Sequence, residues 1–500
     1  MNAVADARGT GPDFAAPGVA MPPAAALYVD LDGTLTPTDT LVESVIQLAR
    51  QSPMALLRLP WWLLQGRAAF KEALARHAQI AVDHLPYNEA LLDYLRGERL
   101  KGRRIVLATA AHVSIARAVA AHLGLFDEVL ATSGRHNLKG SAKLAACQAS
   151  ARGPFVYAGD SRADLAVWQS AQGAILVSVD AATADAVRRQ VPIEREFPRP
   201  RIGLIDWVRA LRIHQWLKNL LLFVPLLTAF AFMDHRKLAT MLLGFVAFSL
   251  VASATYVAND LWDLENDRGH PRKKRRAFAS GKIPILQGVA VATVLLLIGL
   301  GLSAAASTGF FLMVCLYLAL TFIYSWKLKH YVLVDVLTLS LLYTFRILAG
   351  SVAIGVATSS WLLAFSAFMF LSLALAKRCA ELIALERVGT SVAQGRDYRV
   401  GDLAVLRPLG IGAALSAVVI FGLFINAPET QARYAAPQML WLAAISMTYW
   451  LGRLWIMTSR GEVHDDPVVY AITDRGSQLA ILAIVATVVA AYFQVGGTLP

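Results

Sequence analysis

Cysteine is nearly missing: Cys147, Cys315 and Cys379 are the only three in 500 residues. Their spacing suits neither a disulfide framework nor a zinc site, which sets thiol and zinc chemistry aside. Charge is also scarce, 16% of residues against 56% hydrophobic, and the mean hydropathy is +0.51. A soluble globular chain is less apolar than that. The opening stretch 1–24 lacks a basic start followed by a compact apolar run, and is instead rich in Ala, Pro and Gly with Asp6 and Asp13. It is expected to be a disordered tail, not a signal peptide. Long apolar runs are missing before residue 200 and frequent after Leu217, so two units of different class are expected.

A window of membrane-spanning length places nine spans, near 216–233, 238–258, 286–304, 309–326, 332–352, 360–376, 404–425, 438–457 and 478–495. A net charge of +12 would suggest nucleic acid in a soluble chain, but here its distribution points elsewhere. Arg268, Arg272, Lys273, Lys274, Arg275, Arg276 and Lys282 follow the second span, and Lys327, Lys329, Lys377, Arg378, Arg387, Arg396 and Arg399 follow the fourth and sixth. The alternate loops are nearly bare of cations. Positive-inside asymmetry then puts the amino-terminal unit in the cytosol and the carboxyl terminus outside a cytoplasmic membrane, with no nucleic-acid partner expected. The stretch VPIEREFPRPRIGLIDWVRALRIHQW reads as a linker over 191–212, its prolines stiffening it before a basic helix.

In the first unit, LYV runs into Asp30, Asp32 and a turn at Gly33, which places two carboxylates at a strand's carboxyl end, where α/β sheets carry their sites. IVLATAA offers Thr109 after a second strand, NLKGSAK offers Lys143, and PFVYAGDSRAD ends a strand at Asp160 with Asp164 four residues on. These elements, in this order, resemble the haloacid dehalogenase-like phosphatase superfamily over roughly 25–190. The resemblance implies a Rossmann-like α/β domain with a helical cap over about 45–100. It makes Asp30 the nucleophile and Asp32 the general acid and base, gives Thr109 and Lys143 the phosphoryl oxygens, and has Asp30, Asp160 and Asp164 hold Mg²⁺. A second acid beside the nucleophile favours phosphatase over dehalogenase chemistry. A domain retained only as a structural module is the alternative. In the cap, LLRLPWWLLQGRAAFK sets Trp61 and Trp62 beside Arg58 and Arg67, which reads either as cap core or as a membrane-surface contact.

In the second unit, NDLWDLEND follows the second span. Asn259, Asp263 and Asp267 recur every four residues, with Asp260 three before Asp263, so a helix would set them on one face. Clustered carboxylates need a counter-ion, and Mg²⁺ holding a diphosphate is the natural occupant. The motif and the all-α bundle of nine transmembrane helices over 213–500 resemble the UbiA superfamily of intramembrane prenyltransferases. The second acidic repeat usual after span six is missing, replaced by KRCAELIALERVGTSVAQGRDY.

With HQWLKN, YSWKLKHYVLVDV, FRILAGS and YAITDRGSQ, this departure is similar to the branch typified by decaprenyl-phosphate phosphoribosyltransferase. There a polyprenyl phosphate accepts ribose 5-phosphate from phosphoribosyl diphosphate. The resemblance implies Mg²⁺ on Asn259, Asp260, Asp263 and Asp267, and phosphate contacts from Lys218, Lys327, Arg346, Lys377, Arg378 and Arg475. Ala277 stands where related sequences commonly have Pro. Structural ion pairing is the alternative for Arg346 and for Asp474 with Arg475, and topology alone explains RKKRR.

A bifunctional enzyme follows from the two resemblances together, making a lipid-linked ribose 5-phosphate and removing its 5-phosphate. Prenyl transfer to an aromatic acceptor such as 4-hydroxybenzoate is the second reading. A transporter with a regulatory domain is the third, disfavoured because no matched halves with broken helices are evident.

Overall fold

The computed structural model describes residues 25–134, 136–270, 272–389, 396–463 and 467–493, and the tail expected over 1–24 lies outside them. The chain divides into two compact units. The first runs to Gly203 and includes Asp260–Gln287; the second comprises Leu204–Asn259 and the chain from Gly288.

The first unit is built on six strands: β1 (Ala26–Val29), β2 (Ile105–His112), β3 (Glu128–Thr132), β4 (Phe155–Gly159), β5 (Gly173–Val177) and β6 (Ile193–Phe197). All pair in parallel, in the order β3-β2-β1-β4-β5-β6. The central strands are short runs of buried apolar residues, as a sheet covered on both faces requires. Strand order reverses at the β1–β4 pair, so the carboxyl ends of these two strands flank the crevice in which such sheets bind ligands.

Two boundaries differ from the sequence reading. Strand β6 lies inside the expected linker. Its Glu194 accepts two hydrogen bonds from Arg103, at 3.0 and 3.1 Å, a long-range tie that hydropathy does not register. The helix Glu89–Leu100, assigned above to the cap, sends Leu91, Leu92 and Leu95 into the core beneath β1 and β2. The cap proper is the run Thr40–Gln51, Pro53–Arg58, Leu59–Leu64 and Arg67–His77, closed by its own small core of Leu48, Ala55, Trp62, Leu74 and Ala78.

In the second unit, seven described helices are long and apolar enough to cross a membrane: His235–Trp262, Ile285–Ala306, Thr308–Trp326, Val334–Ile354, Ser360–Arg387, Val400–Ile425 and Arg475–Phe493. Nine were expected. The first expected span breaks into Ile213–Phe223, Val224–Thr228 and Ala231–Met233, with Pro225 unable to donate at the first break and Phe230 at φ +53° at the second. The eighth corresponds to Leu440–Arg460, a continuous 21-residue helix whose sequence carries Arg453 and Arg460. Ser360–Arg387 also continues eleven residues past its expected end, through Lys377, Arg378 and Glu381, which had been read as loop. Those residues are good helix formers, and Leu382 and Ile383 are buried in the bundle core.

Two glycines bring helices of this bundle into close contact. A Cβ at Gly350 would overlap the Leu222 carbonyl and one at Gly410 would overlap the Trp455 ring, so each glycine lets a neighbour approach its backbone.

Candidate active sites

The first site lies at the carboxyl edge of the sheet. Asp30 follows β1 and Asp160 follows β4, so the strand pairing alone sets their backbones side by side. Lys143, on the helix Ser141–Ser150, donates to Asp30 Oδ2 at 2.7 Å, to Asp164 Oδ1 at 3.1 Å and to the Tyr157 hydroxyl at 2.8 Å. Tyr157 in turn donates to Asp164 Oδ1 at 2.8 Å, a partner the sequence reading missed because nothing in the motif marks it. Asp30, Asp160 and Asp164 present oxygens within 4.8 Å of one another and form the one metal-suited cluster among the described residues. Three carboxylates against one ammonium leave negative charge uncompensated, and a divalent cation fits that donor set.

The electrostatics follow from this crowding. Burial, followed by the charges of Asp30 and Asp164, pushes the Asp160 carboxyl up to about 8. Burial and the neighbouring Asp164 also raise Asp30 against the pull of Lys143. Asp32 rises to about 7, chiefly by burial and then by Asp39, while its Oδ1 accepts from the Thr40 amide at 2.8 Å. Burial alone would lower Lys143, but Asp30 and Asp164 outweigh it and hold the ammonium charged. Thr109 is fully buried and its Oγ1 accepts from the Ala111 amide at 3.0 Å, while Ala110, Ala111 and His112 line the cavity.

That cavity, of about 920 Å³, joins the acidic cluster to the cap residues Leu63, Arg67, Phe70 and Lys71. Lys71 latches cap to sheet, donating to the Ala110 carbonyl at 2.5 Å and to Asn137 Oδ1 at 3.1 Å. Gly33 sits at φ +77°, and a Cβ there would overlap Asp160 Oδ2. Gly33→Ala therefore combines a left-handed strain of about 1–2 kcal/mol with displacement of Asp160. It is expected to lower the unfolding midpoint and to cut phosphomonoester hydrolysis by at least about tenfold, measured on the purified chain with a chromogenic ester.

The acidic motif of NDLWDLEND is arranged differently from the sequence reading. Asn259 and Asp260 lie on the helix His235–Trp262, which ends before Asp263, and a short helix, Leu264–Gly269, restarts after it. The break divides the motif between two helices. Asp260 and Asp267, both buried, instead close on Arg276 at 3.1 and 2.6 Å. A guanidinium thus occupies the position expected for a cation, and among the described residues Asn259, Asp260, Asp263 and Asp267 are not gathered as a metal cluster. The same short helix is tied to Thr40–Gln51: Arg268 donates to both oxygens of Glu43, at 2.6 and 3.1 Å, and Glu265 accepts from Arg50 and Gln47 at 3.0 and 2.8 Å. No local pattern links residues so distant in sequence.

The basic residues of the second unit divide by environment. Arg346 is buried under the Phe248, Tyr317 and Tyr343 rings and donates to Asn219 Oδ1 at 3.1 Å, the Leu342 carbonyl at 2.6 Å and the Tyr317 hydroxyl at 3.0 Å. Lys218 is also buried and lies over the Tyr343 ring. Arg378 is fully buried against Asp335 at 2.7 Å and is bonded to Glu381, which also accepts from Arg396 at 3.1 Å. Two carboxylates thus already meet the Arg378 guanidinium, as a buried charge requires. Asp335 and Arg346, both on the helix Val334–Ile354, have separate partners. Asp474 pairs with Arg453 at 2.8 Å and with Ser477, not with Arg475, which is exposed, as is Lys327. Lys377 is half-buried.

The family model for UbiA prenyltransferases matches residues 220–473, and that for haloacid dehalogenase-like hydrolases matches 27–169. The Sinorhizobium fredii protein called uncharacterized protein y4nM is 41% identical over 455 residues, covering 90% of this chain and 88% of its own. Nodulation protein NoeC of Azorhizobium caulinodans is 37% identical, over 57% of this chain and 92% of its own. A decaprenyl-phosphate phosphoribosyltransferase of Mycobacterium tuberculosis is 32% identical, over 57% of this chain and 93% of its own.

Proposed function

Because the chain belongs to the UbiA prenyltransferase family and carries a haloacid dehalogenase-like hydrolase domain at its amino-terminal end, we propose that it is a bifunctional membrane enzyme. The membrane unit transfers ribose 5-phosphate from phosphoribosyl diphosphate to a polyprenyl phosphate, and the α/β unit hydrolyses the 5-phosphate of the product. Both act at a cytoplasmic membrane, with the α/β unit in the cytosol, where the cation-rich loops also lie. The observation that carries the reading is one cavity gathering Asp30, Asp32, Lys143, Asp160 and Asp164, on a chain whose membrane half is similar to a phosphoribosyltransferase.

In the transfer, an oxygen of the lipid phosphate attacks the anomeric carbon, and the bond to diphosphate breaks with its electron pair. Lys218, Lys327, Arg346, Lys377 and Arg475 are the cations proposed for the phosphates, and Asn259, Asp260, Asp263 and Asp267 the groups at the diphosphate end. At that end Arg276 already sets a positive charge between Asp260 and Asp267. In the hydrolysis, an Asp30 oxygen attacks phosphorus while Asp32 gives a proton to the departing ribose oxygen. Water then cleaves the aspartyl-phosphate, with Asp32 taking the proton back. Lys143 fixes Asp30 and offsets charge on the phosphoryl oxygens. Mg²⁺, when held by Asp30, Asp160 and Asp164, supplies further positive charge there. Tethering the two units raises the effective concentration of the first product at the second site.

Mass spectrometry of lipids formed in liposomes from polyprenyl phosphate, phosphoribosyl diphosphate and Mg²⁺ tests the reading, with a lipid-linked ribose as the expected product. Prenylated 4-hydroxybenzoate from an isoprenyl diphosphate, with no ribosyl lipid, would replace it by the aromatic-acceptor reading. Chelation with EDTA is expected to depress hydrolysis of a water-soluble phosphomonoester by about 10²-fold or more, with recovery on adding Mg²⁺. Activity unchanged by chelation would remove the metal from the phosphatase site.

A further inference from the structure

We propose that the helical cap segment formed by Pro53–Arg58 and Leu59–Leu64 is a bilayer-docking surface that seats in the headgroup and acyl boundary of an anionic membrane. Met54, Leu57, Trp61 and Leu64 are 77, 75, 63 and 82% exposed. Their spacing of three, four and three residues is that of one helical stripe. The opposite side of the same segment is already satisfied, because Ala55 and Trp62 are buried with Leu48, Leu74 and Ala78. The segment is thus apolar on two faces, whereas a cap folding only on its own core needs one. Contiguous exposed apolar surface of this kind marks an interaction site.

The chemistry of the occupant follows from the flanks. Between Glu43 and Glu72 the sequence contains no carboxylate side chain but has Arg50, Arg58, Arg67 and Lys71, and Arg58 and Arg67 are exposed. An apolar stripe with an aromatic residue, basic flanks and no acid fits the interface of an anionic bilayer. The seven apolar helices elsewhere in the chain keep such a surface permanently at hand. The same segment borders the phosphatase cavity: Leu63, beside Leu64 of the stripe and 57% exposed, lines it together with Arg67 and Phe70. A phosphomonoester on a lipid tail would therefore reach Asp30 along a wall that begins at the bilayer. This holds for any lipid-borne phosphomonoester and does not depend on the phosphoribosyl reading.

The full chain, reconstituted in nanodiscs containing anionic lipid, gives the test. A nitroxide on Leu64→Cys, in a Cys315→Ser background that leaves only the buried Cys147 and Cys379, is compared with one on Leu100→Cys, an exposed leucine outside the segment. The expected result is collision with oxygen but shielding from an aqueous nickel chelate at position 64, and free access of the chelate at position 100. Equal aqueous access at both overturns the proposal. So does shielding at 64 that persists in lipid-free detergent or rises with protein concentration, since that marks a protein contact. In the same nanodiscs, the double variant Trp61→Glu with Leu64→Glu is expected to lose about tenfold or more on a phosphomonoester borne by a lipid tail, and less than about twofold on p-nitrophenyl phosphate. Loss on both substrates alike, or on neither, overturns docking as the function of the stripe.

Discussion

Replacing Asp30 by Asn is expected to reduce phosphomonoester hydrolysis by at least about 10⁴-fold, the scale on which loss of an activated nucleophile is felt. In the coupled liposome reaction it would halt the sequence at the lipid-linked ribose 5-phosphate. The substitution is nearly isosteric: the amide oxygen can still accept from the Leu31 amide, bonded now at 2.8 Å to Oδ1, and Lys143, which loses its bond to Oδ2, keeps its bonds to Asp164 and Tyr157. Folding should therefore survive, which circular dichroism and an unchanged transfer rate would check. An accumulated 5-phosphate with the variant and dephosphorylated lipid with wild type would establish the order of the two reactions. If wild type also stops at the 5-phosphate, the α/β unit acts on another phosphomonoester. If Asp30→Asn retains hydrolysis, Asp30 is not the nucleophile.

Asp263→Asn is expected to have the second largest effect, lowering lipid transfer by about 10²- to 10³-fold while hydrolysis of a water-soluble ester is unchanged. Asp263 suits this test better than its neighbours. Asp260 and Asp267 are buried on Arg276, so removing either leaves a guanidinium short of a partner and mixes stability with chemistry. Asp263 lies at the helix break and is only half-buried. Radiolabelled phosphoribosyl diphosphate incorporated into extractable lipid is the readout. Transfer at the wild-type rate would separate the acidic motif from donor binding, whereas parallel loss of both activities would point to misfolding. The two variants thus report on the two units independently.

The motif residues of the α/β unit were legible because phosphoryl chemistry at a sheet edge constrains residue type locally. Asp30, Asp32, Gly33, Asp160 and Asp164 each sit within a few residues of the strand that positions them. The full burial of Thr109 and the hydrogen bond its hydroxyl accepts from the Ala111 amide are not written in LATAA. In the membrane unit, hydropathy locates most helices because lipid selects apolar side chains residue by residue. It does not see that Pro225 and Phe230 break the first of them, or that the helix from Ser360 continues under its own charges.

By itself the sequence determined the two classes of unit, the multi-pass membrane character and the acidic and basic residues from which any site must be built. These follow from composition and short-range spacing, which act on each segment separately. Only the tertiary structure decided which charges meet. It set Arg276 between Asp260 and Asp267, Arg378 against Asp335, Arg453 on Asp474 and Arg268 on Glu43, and it left one stripe of the cap uncovered. Charge pairing and burial are properties of the packed chain: a buried charge takes whichever partner the fold brings within reach, and sequence distance does not restrict that choice.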